Sequence, residues 1–151
     1  MFLCNLININ IHFNEGMCKS LINELRFKIG EQYELNEFNL KTLDSTFNNG
    51  LEYENYEYLK DDVKTLFGLR LLTNVILQYN ADILSGIIYK LALNDLDNLI
   101  TRLNSYLSID KKLDTEKFIL GKTFTVFIFQ EFSVSLDIEK DIKLRVIKSL
   151  G

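Results

Sequence analysis

The longest apolar periodicity in the chain runs from Asp61 to Leu107, and it sets what every other segment has to pack against. Its first part places Val63, Leu66, Phe67, Leu69, Leu72, Val75, Ile76 and Tyr79 in steps that form a stripe on a helical period. Asp61 and Asp62 fall in the first turn of that helix, where carboxylates complement the positive end of its dipole. Asn80 and Asp82 are residue types that close one helix and cap the next. From Ile83 the stripe resumes at Ile87, Ile88, Leu91, Leu96, Leu99, Ile100, Leu103 and Leu107. Two amphipathic helices joined at Asn80, Ala81 and Asp82 pack antiparallel. Gly68 and Gly86 each cost about 1 kcal/mol against Ala in a helix interior, so each is expected where a neighbouring backbone comes close. Asn94 and Asp95 divide the second helix, with Asp95 capping the segment from Leu96 to Leu107.

Ile7, Ile9, Ile11 and Phe13 alternate with Asn8, Asn10, His12 and Asn14, the pattern of a half-buried strand that needs a partner. Gly16 to Ile29 reads as a helix with Cys18, Leu21, Ile22 and Leu25 inward and Gly30 as its left-handed stop. Between Glu31 and Leu59 the pattern loosens, and Asn48, Asn49 and Gly50 mark a turn. Asp114 caps a segment that starts at Thr115 and is apolar nearly all round, with apolar residues from Phe118 to Phe132. Its length favours a buried central helix, while β-branched Thr123, Thr125, Val126 and Ile128 favour a strand. Asp137, Glu139 and Asp141 lead a last helix, Lys143, Arg145 and Lys148 trail it, and Ile138, Ile142, Val146 and Leu150 line one face. The fold expected is a mainly α single-domain bundle of about five to seven helices over residues 1–151, at most with a small sheet using the N-terminal strand; the alternative is α+β. Its core is expected to hold Leu72, Ile76, Ile87, Leu91 and Leu103.

A chain of 151 residues, 47% of them apolar, can bury a core without covalent staples. With no Pro and no low-complexity tract, nothing marks an internal boundary. Cys4 and Cys18 lie in apolar surroundings and read as reduced small hydrophobes. No glycosylation sequon, membrane-length apolar run or basic leader segment is present, so a soluble, cytoplasmic protein is expected.

The residue types that carry catalysis are scarce. His12 is the single histidine, so no zinc site can be built on a histidine pair, and no metal or cofactor is expected. Gly121-Lys122-Thr123 is like the end of a phosphate-binding loop, but such a loop needs a glycine at position 116, which is Glu. A net charge of -4 with no basic cluster beyond Lys111-Lys112 argues against nucleic acid and membrane as partners.

The charge is unevenly spread. Residues 31–62 carry nine acidic side chains against two basic ones, whereas the other 119 residues sum to +3. Within this stretch Glu52, Tyr53, Glu54, Tyr56, Glu57 and Tyr58 alternate carboxylates with rings, and Asp61 and Asp62 follow. Tyrosine supplies rigid contact area, and carboxylates supply complementarity to a basic partner and a faster encounter. In composition these eight residues are like the face with which an inhibitor, immunity protein or antitoxin blocks a basic partner such as a toxin or nuclease. Packing of the rings on the core with the acids left in solvent is the plainer reading. Two further functions are a helical adaptor whose groove takes a partner helix, as apoptosis regulators do, and an enzyme using Glu52, Glu54 and Asp61 as paired carboxylates.

Overall fold

A computed structural model of the chain describes residues 15–107 and 112–149. It overturns the helical bundle: 46% of the chain is strand and 22% helical, and the architecture is built on one antiparallel sheet. The elements are α1 (Glu15–Leu25), β1 (Leu40–Thr42), β2 (Thr46–Asn48), β3 (Leu51–Tyr58), β4 (Thr65–Leu66), β5 (Leu69–Arg70), β6 (Ile76–Asn80), β7 (Ile83–Ala92), α2 (Leu96–Asn104), β8 (Lys122–Ile128), β9 (Phe132–Ile138) and β10 (Asp141–Lys148). The main sheet runs β1-β3-β6-β7-β10-β9-β8, with β2 pairing β3 beyond β1, and β4 and β5 form a separate small hairpin.

The expected helix over residues 61–79 is instead a loop, the β4–β5 hairpin and strand β6. The supposed helix joint is a two-residue hairpin turn, in which Ala81 and Asp82 both take positive φ, as the tight β6–β7 connection requires. Along β7, Ile87, Tyr89 and Leu91 are buried while Ile88 and Lys90 are half-buried, so the period is two. The segment from Thr115, where length favoured a helix and the β-branched residues a strand, is a one-turn helix capped by the Asp114 side chain, then β8 and β9. The last helix becomes the β9–β10 hairpin. The 96–107 segment keeps its helical start, as α2, but the Asp95 side chain makes no capping hydrogen bond; the first helix stands as α1 but ends at Leu25, where Arg26 takes a positive φ, and Gly30, also at positive φ, lies in the loop beyond it.

One face of the sheet is the core. Leu77 and Tyr79 of β6, Ile142 and Leu144 of β10 and Val134 and Leu136 of β9 join the buried residues of β7 there. Against them α1 sets Leu21 and Leu25, and α2 sets Leu99, Ile100 and Leu103. Tyr89 Oη donates to the Leu25 carbonyl and so fixes the end of α1 over the centre of the sheet. Burying this much apolar area, at roughly 25 cal/mol per Å², supplies the main driving force for the fold. Ile87, Leu91 and Leu103 are core residues as expected, but Ile76 is half-buried and Leu72 is 53% exposed, because it lies in the loop between β5 and β6. Among the described residues, no neighbouring backbone comes close to either glycine: Gly68 sits at the β4–β5 turn with φ +77, and at Gly86 the Gln78 side chain fills the space, so that a Cβ there would lie 2.5 Å from Gln78 Oε1. The alternating segment from Ile7 to Phe13, with Cys4 and His12, lies outside the described residues.

The opposite face is polar. Gln78 donates to Asn55 Oδ1 at 3.0 Å, and Asn55 donates to the Asp44 carbonyl and to Thr46 Oγ1. Toward the other side, Asp137 receives Arg145 at 3.3 Å and Thr123 at 2.7 Å.

Candidate functional site: the acidic edge of the sheet

The acid-rich stretch forms the β1–β2–β3 edge and the loop that crosses to it. Hydrogen bonds from Gly30 to Leu84, Leu84 to Glu31 and Tyr33 to Asp82 anchor the start of that loop on the β6–β7 hairpin. From there two single-turn helices, Tyr33–Leu35 and Glu37–Asn39, carry the chain to β1, and Leu59 N–H donates to the Asn39 carbonyl. The β2–β3 hairpin closes at Asn49 and Gly50, both with positive φ, so the turn expected there is present.

Because β3 is a strand, its alternating sequence is divided between two faces. Glu52, Glu54, Tyr56 and Tyr58 point to the helix-bearing side; Tyr53, Asn55 and Glu57 point to the polar side. Tyr58 is buried edge-to-face against Phe27 at 4.9 Å. Tyr56 packs on Tyr33 at 5.3 Å and Tyr79 at 5.8 Å and donates to Glu54 Oε2 at 3.1 Å. Desolvation pushes both hydroxyls up to about 12, reinforced by the Glu54 carboxylate at Tyr56 and the Asp62 carboxylate at Tyr58. Glu57 accepts from Asn74 on the opposite side. Asp61 pairs with Lys64 at 3.1 Å, and Asp62 meets Lys60 at 3.7 Å while its carbonyl accepts from Arg26. The eight candidate residues therefore do not make one surface. Glu52 and Glu54 stay together and exposed, the packed tyrosines serve the core, and Asp61 lies in the turn beyond the end of β3, whose rise from Glu52 to Tyr58 alone is about 20 Å.

Side chains that the sequence did not single out complete the edge. Of nine exposed large apolar residues among those described, five come from this stretch: Leu35, Phe38, Phe47, Leu51 and Leu59. Phe38 is 94% and Phe47 76% exposed. Phe47 is opposite Glu52 in the β2–β3 ladder and so shares its side of the sheet with Glu54. Phe38 and Leu35 stand on the two single-turn helices, next to Glu34 and Glu37. A signal for them exists in the sequence, namely apolar residues without period among turn formers and acids. Such residues have no face to be buried on.

Among the described residues, no group of three or more His, Cys, Asp or Glu side chains could hold a metal ion. None of the described helices is long and apolar enough to cross a membrane. No protein-family model, curated protein or solved structure matches this chain.

Proposed function

We propose that the protein works by binding a basic protein partner through its acidic edge, in the manner of an inhibitor, immunity protein or antitoxin that covers a cationic working surface. The observation that carries this reading is the exposure of Phe38 and Phe47 within a stretch of net charge -7. A phenylalanine left in water forgoes roughly 2 to 3 kcal/mol of burial, which a partner can recover. Aromatic anchors surrounded by charge have the anatomy of a binding hot spot with a polar rim. Glu34, Glu37, Glu52 and Glu54 then steer the encounter and select a cationic partner. The cytoplasm is the compartment we assign, on the same composition that suggested reduced cysteines. A groove formed between helices has lost its support, since α1 and α2 lie on a sheet.

The test compares capture of partners from the native host at low and high salt by the wild-type chain, by Phe38→Ser/Phe47→Ser and by Glu52→Gln/Glu54→Gln. A basic protein held at low salt by the wild type, and lost from both variants, is the expected result. A partner indifferent to both pairs of changes overturns the proposal.

A further inference from the structure

Two lysines stand directly opposite one another in the middle of the sheet. Lys143 of β10 is the ladder partner of Lys90 of β7, so their Cβ atoms lie about 5 Å apart on the polar face, and like charges so placed are destabilising. Little on the face offsets this. Asp141 reaches Lys90 only at 3.9 Å, and Asp137, across the ladder from Lys143, is engaged by Arg145 at 3.3 Å and Thr123 at 2.7 Å. Lys143 itself makes no ion pair among the described residues.

The same row runs into a cleft. Leu72 N–H donates to the Lys90 carbonyl at 2.9 Å and Leu71 bridges to Leu91, so the chain leaving β5 lies antiparallel beside β7. Leu71 is buried on the core side, which by alternation puts Arg70 and Leu72 on the polar side with the lysines. Arg70, Leu72, Thr65 and Thr73 line an open cleft of about 570 Å³ there. Its far wall is satisfied within itself, since Lys64 bonds to Asn74 and Asp61 and Asn74 donates to Glu57. Arg70, like Lys143, makes no ion pair among the described residues.

We propose that Arg70, Lys90 and Lys143 hold a phosphate group at the mouth of this cleft. The three residues come from adjacent strands of one rigid sheet, and their long side chains reach a common point above Leu72 and Lys90. A phosphate answers what each of them lacks. Its two charges relieve the Lys90–Lys143 repulsion, and its oxygens accept from the Arg70 fork as well as from the ammonium groups. Both lysines are half-buried, so salt screens them less than it screens the exposed acids. The cleft has the volume of a small-molecule site, and the half-exposed Leu72 offers apolar contact to whatever carries the phosphate. Glu52 and Glu54 point to the other side of the sheet, so this site and the acidic edge are filled independently.

The test titrates inorganic phosphate and phenyl phosphate at fixed ionic strength into the wild type, Arg70→Gln, Lys143→Gln and Lys148→Gln, the last changing an exposed lysine at the end of β10. Amide chemical shifts are expected to move saturably at residues 70–73, 90 and 143. Arg70→Gln and Lys143→Gln should each weaken binding about tenfold or more, as loss of a charge-assisted hydrogen bond does. Lys148→Gln should change it less than about twofold, as a distant screened charge does. Melting temperature supplies a second readout. Without phosphate, Lys143→Gln should melt no lower than the wild type, because the like-charge pair is relieved; phosphate should then raise the melting temperature of the wild type alone. Tighter binding of phenyl phosphate assigns the group to a molecule whose body lies on Leu72, and equal binding assigns it to the free ion. Shifts that do not saturate, or equal weakening by Lys148→Gln, overturn the proposal. So does a Lys143→Gln chain that melts lower than the wild type without phosphate, since Lys143 would then serve the fold.

Discussion

Strand β7 and the β2–β3 hairpin belong to the same sheet, yet their apolar side chains meet opposite ends. On β7, Leu84, Ile87, Tyr89 and Leu91 are all fully buried under α1 and α2. On the hairpin, Phe47 and Leu51 face water. Position relative to the helices makes the difference, because the helix pair covers the middle of the sheet and the crossing loop brings Tyr33 only as far as Tyr56 and Tyr79. Stability is therefore concentrated in the centre and recognition in the overhang, and the two respond to different perturbations.

Alkali should have the largest effect, and it acts on the centre. Desolvation raises the Tyr89 hydroxyl far above its ordinary 10.0, since ionising it would place a phenolate in a fully buried site. Tyr56 and Tyr58 rise to about 12. A hydroxyl whose folded pKa exceeds its unfolded one stabilises the fold fully below pH 10 and loses that contribution as pH climbs toward the folded value. Denaturant midpoints should be flat below pH 10 with respect to these groups and fall steeply above it. Ionisation of Tyr56, Tyr58 and Tyr89 is expected to accompany unfolding. A Tyr89 that ionises near pH 10 in a still-folded chain would contradict the burial assigned to it.

Next in size is truncation of a central side chain. Leu91→Ala should cost roughly 2 to 5 kcal/mol in chemical denaturation, whereas Leu72→Ala should cost less than about 0.5, because Leu72 is already in solvent. Equal losses at the two positions would mean that the centre and the loop are not distinguished as described.

The same pair shows what could be read from the sequence. Leu91 belongs to the core in the helical reading and in the sheet alike. Leu72 belongs to it only on a helix. Ile138, Ile142 and Val146 are spaced by four, which fits one face of a helix but also every second position of an alternating strand. Leu144 decides the matter, since on a helix it would point away from Ile142, yet both are buried. Phe132, Val134, Leu136 and Ile138 alternate with Ser133, Ser135 and Asp137, a period-two signal outweighed in the helical reading by the length of the apolar run. Between β6 and β7 the bulge at Gln78 and Tyr79 shifts the register, and Ile88 is apolar on the polar face, so the alternation is broken where it mattered. Turns and caps were more legible. Asn49-Gly50, the Asp114 cap and the start of α2 are local, and local chemistry does not wait on which face is buried. The acidic edge was visible as charge, but its exposed phenylalanines were not, because exposure is decided by where α1 and α2 end.

The smallest effects on stability, and the sharpest separation of the two regions, are expected at the overhang. Glu34→Gln/Glu52→Gln/Glu54→Gln should change the unfolding free energy by no more than about 0.5 kcal/mol, since exposed carboxylates contribute little. Phe38→Ser and Phe47→Ser should behave alike, because a side chain that is 94% or 76% exposed has little packing to lose. Tyr58→Ala is the contrasting change on the same strand: its ring is buried against Phe27, and its loss should cost about 3 kcal/mol or more. Partner affinity should rank the other way. The phenylalanine changes should each weaken binding by about 2 kcal/mol, as hot-spot anchors do. The glutamine triple should act mainly on the association rate, with an effect that fades as the Debye length falls below about 10 Å. Measured together, unfolding free energy and affinity place each residue in one region or the other. A Phe47→Ser chain that binds normally but unfolds early would move that side chain from the overhang to the core, and with it the main support for recognition at this edge.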